Sequence, residues 1–122
     1  MKIEVSIGEI VDKYTILQIK KEKCKESTKL KNILTELDFL SSIIESLNIQ
    51  QDLINDLKSI NLKLWEIEDN IRICEREKKF DNRFVQLARS VYITNDMRFK
   101  IKNKINQITE SLIVEEKILP KY

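Results

Sequence analysis

Only one glycine and one proline, Gly8 and Pro120, occur in the 122 residues of this chain. Tight turns need residues that tolerate positive φ or pre-set a bend, and a β-rich chain of this length needs many of them. Their scarcity leaves long helices with brief connections, so the expected fold class is all-α. Leu, Ile, Lys, Glu and Asn dominate, and Ala88 is the sole alanine. Intrinsic helix propensity is therefore modest, and tertiary packing has to supply most of the stability.

Apolar spacing divides the chain into elements. Ser6 and Glu9 make the S-x-x-E capping box, with Val5 and Ile10 placed as its hydrophobic staple. A first helix from there to about residue 26 carries the seam Ile7, Ile10, Tyr14, Leu17, Lys21, Cys24. A second, starting at Ser27 or Thr28, carries Leu30, Ile33, Leu37, Leu40, Ile44, Leu47. A third, about residues 49–77, follows a second capping box at Asn48 and Gln51 and carries Leu53, Leu57, Ile60, Leu64, Ile67, Ile71, Cys74. These alternating steps of three and four are heptad seams. They predict three long helices in an antiparallel, coiled-coil-like bundle with the third helix central. Asp81 or Asn82 is expected to cap a short fourth helix with Phe84, Leu87, Ala88, Val91 and Tyr92 inward. Thr94 or Asn95 then caps a fifth, with Met97, Ile101, Ile105, Ile108 and Leu112 as its stripe. The ends, "MKIEV" and "IVEEKILPKY", have the look of short strands and are expected to pair as a terminal β-ribbon. Residues 1–122 are read as a single domain.

Several function classes fall away. Histidine is absent, which removes His-based zinc sites and Ser-His-Asp triads. The net charge is +2. It is uneven: residues 1–77 hold 12 basic and 15 acidic residues, and residues 78–122 hold 10 and 5. This basic bias falls short of a nucleic-acid-binding tail, and on the expected fifth helix Arg98, Lys100, Lys102 and Lys104 split between two flanks. Nucleic acid is disfavoured as a partner. No apolar run approaches the roughly 20 residues of a membrane span, and acids interrupt the apolar start of the chain, so no membrane contact and a cytoplasmic location are expected. Cys24 and Cys74 lack a CxxC partner and read as free thiols on apolar faces.

Four groups of residues carry chemical interest. Gly8 in the first turn of a helix invites an anion, although the Ser6–Glu9 box already uses the N–H groups there. Glu9 with Asp12, and Glu66 with Asp69, are E-x-x-D pairs on shared helix faces that can hold Mg²⁺ together with phosphates. This usage is similar to that of the all-α nucleotide pyrophosphohydrolases, but their fuller acidic motif is not evident. Arg89 and Arg98, beside Ser90, Tyr92, Thr94 and Asn95 at the expected fourth-to-fifth helix junction, suit a carboxylate or phosphate bound bidentately. Phe99 points away from its helix's inner face and needs a cover, and Trp65 raises the same question; both are candidate partner contacts.

The blocks "VSIGEIVDKYTILQIK", "LWEIEDNIR", "FVQLARSVYITNDMRFKIKNKIN" and "LIVEEK" resemble those of a family of small, all-helical bacterial and phage proteins of unknown function. The resemblance spans most of the chain and is weakest over residues 25–60. It implies a domain able to stand alone. Such domains are sometimes fused to helical-repeat or sugar-transfer modules, which implies a surface-polysaccharide or nucleotide-sugar setting. The family brings no established activity, so no catalytic residue carries over. The function expected from the chain is that of a helical interaction module, a homodimer binding a protein partner without a cofactor and more a binder than an enzyme. The alternative is a small phosphate-ligand or nucleotide-binding protein, or a Mg²⁺-dependent hydrolase.

Overall fold

The computed structural model describes residues 1–120. Four helices account for it: α1 (Ile7–Lys23), α2 (Ser27–Leu47), α3 (Gln51–Glu77) and α4 (Asn82–Ile108). The all-α expectation holds, but neither the helix count nor the terminal ribbon does. No strand occurs among the described residues, and residues 1–6 and 109–120 run without regular structure.

The local signals explain most of the boundaries. The Ser6 side chain accepts the Glu9 N–H at 3.2 Å and starts α1. The Asp81 carboxylate accepts the Phe84 N–H and starts α4. Asn48 does not cap α3: it closes α2 at φ 51°, ψ 45°, the left-handed position that asparagine tolerates well. Gln50 stands at the N-cap of α3 without a side-chain bond.

The largest departure lies at residues 92–96. Thr94 and Asn95 cap nothing, because α4 runs unbroken through them for 27 residues. Thr94 is buried inside the helix. Thr, Asn and Asp favour caps only where the backbone is free to leave the helix. Here α4 is held against α1 and α3 along its length, and that packing overrides the local preference.

The packing order also differs from a coiled coil of the first three helices. α1 packs against α2, α3 and α4, and the longest shared face joins α3 to α4. Among the described residues the backbone of α2 approaches α1 alone. The central helix is therefore α1, not α3. Val11, Ile44, Leu53, Ile54, Leu57 and Ile105 form the apolar core cluster, with Ile7, Ile10, Tyr14, Ile49 and Ile101 packed on it. The heptad seams of α2 and α3 do turn inward: Leu37, Ile44, Leu53, Leu57, Ile67 and Cys74 are buried.

The α4 stripe is rotated from its expected position. Met97 and Ile108 are 42% and 52% exposed, whereas Thr94, Lys102, Ile105 and Asn106 are buried. The deepest face of α1 is likewise Gly8, Val11, Asp12, Thr15 and Ile19, at helical spacing but partly polar.

After α4 the chain turns back along it. The Ile7 N–H donates to Ser111 Oγ at 3.1 Å, Glu115 reaches Lys102, and Lys117 reaches Asp96. This segment supplies the cover that Phe99 needs, with the Lys117 ammonium 5.8 Å from its ring centroid. No helix is long and apolar enough to cross a membrane among the described residues.

Candidate functional site

A polar seam joins α1 to α4 and sets the geometry of everything beside it. It steps by four residues along α4 as it rises antiparallel along α1: Gly8 opposite Asn106, Glu9 opposite Lys102, Asp12 opposite Arg98. The Gly8 N–H donates to Asn106 Oδ1 at 2.6 Å. Lys102 Nζ donates to Glu9 Oε2 at 2.8 Å and lies 3.2 Å from Glu115 Oε1. Arg98 engages Asp12 with two prongs, Nε to Oδ1 at 2.9 Å and Nη2 to Oδ2, the bidentate fork that fixes a guanidinium plane. Asn61 Nδ2 on α3 donates to Asp12 Oδ1 and to Thr15 Oγ1, both at 2.9 Å. Among the described residues no buried side-chain nitrogen or oxygen lacks a partner. The network is therefore satisfied, as a buried polar network has to be.

Electrostatics follow the contacts. The hydrogen bond to Asp12 raises the Arg98 pKa, against the lowering by burial, and the charges of Asp12, Glu9 and Glu115 add to the rise. Burial pulls Lys102 down, but Glu9, Asp12 and Glu115 together overcome it and leave its pKa raised. Both cations stay charged at neutral pH.

Beside this seam a cleft of about 560 Å³ opens between α1, α3 and α4, within the ~300–1,000 Å³ of small-molecule sites. Ile16, Ile19 and Leu64 give it apolar walls next to the half-buried Trp65. Asn61, Asn95 and Arg98 bring polar groups from α3 and α4, and Glu68, Asp69 and Arg72 stand at its exposed side. Arg72 makes no hydrogen bond or ion pair among the described residues, neither with Glu68 nor with Asp69. Arg98 is held by Asp12 from behind, and its Nη1 also donates to Asn95 Oδ1 at 3.5 Å.

Of the six residues read as an anion site, the cleft receives two, Asn95 and Arg98. Nine residues separate Arg89 from Arg98, which on a continuous helix at ~100° per residue turns them about 180° apart. Arg89 bonds Gln86 on the exposed side, and Ser90 donates back to the Gln86 carbonyl. Tyr92 is exposed and Thr94 is buried. Continuity of α4 is thus what scatters the set. Of the carboxylates, Asp12 is taken by Arg98 and Asn61, and Glu9 by Lys102. Asp69 lines the cleft and Glu66 does not. No three Asp, Glu, Cys or His side chains converge on a metal-sized space among the described residues. Cys74 is buried and Cys24 half-exposed, and both are free thiols.

Asn61, Arg72 and Asn106 were not singled out by sequence reasoning, and Lys102 was placed only among the basic residues flanking a helix. A signal existed: Gly8, Asp12, Thr15 and Ile19 repeat at steps of four, three and four, and Thr94, Arg98, Lys102 and Asn106 at steps of four. Small and polar residues at helical spacing can mark a buried polar face as well as a solvated one, and periodicity of hydrophobicity alone reads them as solvated.

A family model, that of a family of unknown function named DUF6165, matches residues 1–120. The chain belongs to this family. The match takes in all four helices and the returning segment. Neither a curated protein nor a solved structure matches the chain significantly.

Proposed function

We propose that this DUF6165 chain is a small-molecule binding domain whose ligand lies against Trp65 in the cleft between α1, α3 and α4. The observation that carries this is the lining itself: an aromatic and three aliphatic walls, two asparagines, and charges of both signs, with Arg72 unpaired among the described residues. A mostly apolar concavity with a few convergent polar groups is the usual form of such a site. Arg98 is paired with Asp12, and Glu68 and Asp69 more than offset Arg72, so the cleft favours a polar ring with donors and acceptors over a bare anion. The pinned guanidinium of Arg98 adds a donor that needs no ordering on binding.

Magnesium enters this reading only in a reduced form. Glu9 and Asp12 are engaged by cations, leaving Glu68 and Asp69 as the cleft's exposed carboxylates, so a Mg²⁺ ion would have to arrive on a phosphorylated ligand. The test is a thermal-shift screen of nucleosides, nucleotides and sugar phosphates, with and without Mg²⁺. A true ligand at 100 times its Kd adds about 2.7 kcal/mol, and Trp65→Leu removes that gain. A screen with no shift, or shifts that survive Trp65→Leu, would sink the reading.

One observation favours a second reading, the homodimeric interaction module. Phe39 and Ile43, about one turn apart on the same face of α2, are 73% and 40% exposed, on the helix whose backbone approaches α1 alone. A second copy seated there would cover them. Sedimentation should then give about twice the 14.5 kDa chain mass, with Phe39→Glu returning it to the monomer. A concentration-independent monomer for the native chain rejects this reading.

A further inference from the structure

Trp65 belongs to two clefts. The second, about 640 Å³, lies where the end of α1 meets the start of α2, and its lining includes Lys20, Lys23, Lys25, Lys29, Glu26 and Ile33. Its charge differs from that of the first. Four lysines against Glu26 leave +3 on the lining, whereas in the first cleft Arg98 is paired with Asp12 and Glu68 with Asp69 outweigh Arg72 by one charge. Lys29 spends its charge on Glu26 at 3.4 Å. Lys23 stands 5.8 Å from the Trp65 ring centroid. Lys20, Lys23 and Lys25 have no carboxylate partner among the described residues. Like charges gathered in a concavity repel one another, and an anion that enters relieves that repulsion while the concave wall focuses the field.

We infer that the ligand of the Trp65 cleft is a nucleoside diphosphate, its ring in the first cleft and its phosphates across Trp65 among Lys20, Lys23 and Lys25. This rests on the reading of the first cleft as a ligand site. Two features choose the class. Three ammonium groups without a carboxylate partner call for more than a carboxylate's single charge; one phosphate monoester brings about −1.5 to −2, and a diphosphate brings more. The first cleft offers an aromatic face beside amides and carboxylates, which suits a heterocycle or its ribose. Phosphates are therefore bound by the lysines rather than by Arg98, whose charge Asp12 already neutralises.

Calorimetric titration of the full chain with adenosine and ADP, and with uridine and UDP, tests this at low ionic strength. At least one diphosphate should bind about ten-fold or more tightly than its nucleoside. The double variant Lys20→Gln/Lys25→Gln should abolish that advantage, bringing the diphosphate to within about two-fold of its nucleoside. Both positions are exposed, so folding is not at issue. Nucleoside and diphosphate binding within two-fold of each other, or a double variant that keeps the full preference, overturns the inference while the Trp65 reading stands. If no nucleoside or diphosphate binds, or if binding is untouched by Trp65→Leu, the inference falls together with that reading for this class. A ten-nucleotide single strand binding more than about ten-fold tighter than either diphosphate overturns it in favour of a strand-binding surface, where stacking and phosphate contacts repeat.

Discussion

Gly8 shows how one residue sets a helix contact. It sits in the first turn of α1 with no unusual backbone angle, so its value is the missing side chain. A Cβ there would lie 2.5 Å from the Lys102 carbonyl oxygen and 3.0 Å from Asn106 Oδ1. In an ordinary helix Gly→Ala stabilises by roughly 1 kcal/mol. Here the sign should reverse: Gly8→Ala should cost about 1–3 kcal/mol in urea unfolding, because backbone has to give way. A gain in stability would show that α1 and α4 are less close than described. Lys102 makes a second prediction. Its pKa is raised by Glu9, Asp12 and Glu115 against burial, so its stabilisation is complete below the ordinary lysine value of ~10.4 and is lost as pH rises through the folded value. The stability difference between the native chain and Lys102→Met should be flat from about pH 7 to 9 and shrink above about pH 10.4. A difference that does not change across that window contradicts the ion-pair account.

At the scale of elements, α4 is the informative one. "TND" at residues 94–96 is a cap by composition and the middle of a helix in fact. Asn95→Pro separates the two states. If Thr94 were an N-cap, proline at the first helical position would be welcome. Inside a continuous helix it removes a hydrogen bond and clashes with the preceding turn, so the variant should lose ~3 kcal/mol or more, read as a lowered urea midpoint. Elsewhere the element reading was close. The α2 start at Ser27, the α3 end at Glu77 and the capping roles of Ser6 and Asp81 are all legible, because each is decided within four residues of chain. The role of Asn48 was misread because asparagine serves both a start and a left-handed stop, and only the path of the chain chooses between them.

For the whole molecule, the unequal sharing of contacts predicts unequal stability. The backbone of α1 is approached by three helices and that of α2 by α1 alone. Native-state hydrogen exchange should show α2 amides opening at lower free energy than the central amides of α1, α3 and α4. Uniform protection across all four helices would instead favour a second copy covering α2. The cleft belongs to this scale too. Ile16, Asn61, Trp65, Arg72, Asn95 and Arg98 come from three helices, and nothing local marks them as neighbours. Sequence patterns found Trp65, Asn95, Asp69 and Arg98 as candidates but grouped them with the wrong companions, since a break at Thr94 would have brought Arg89 and Arg98 to one helix start.

What the chain alone determines here is its class and its periodicity. One glycine and one proline in 122 residues leave no route but helices, and steps of three and four place the inward faces of α2 and α3, because both constraints act through the backbone within a turn or two. Which helices meet, which is central and which polar residues lie inside were decided by tertiary structure. Asp12 and Arg98 are 86 residues apart and look like any solvated charges until α4 is laid unbroken along α1. Burial then makes each of them affordable only with the other, and the cleft at Trp65 takes its shape from that pairing.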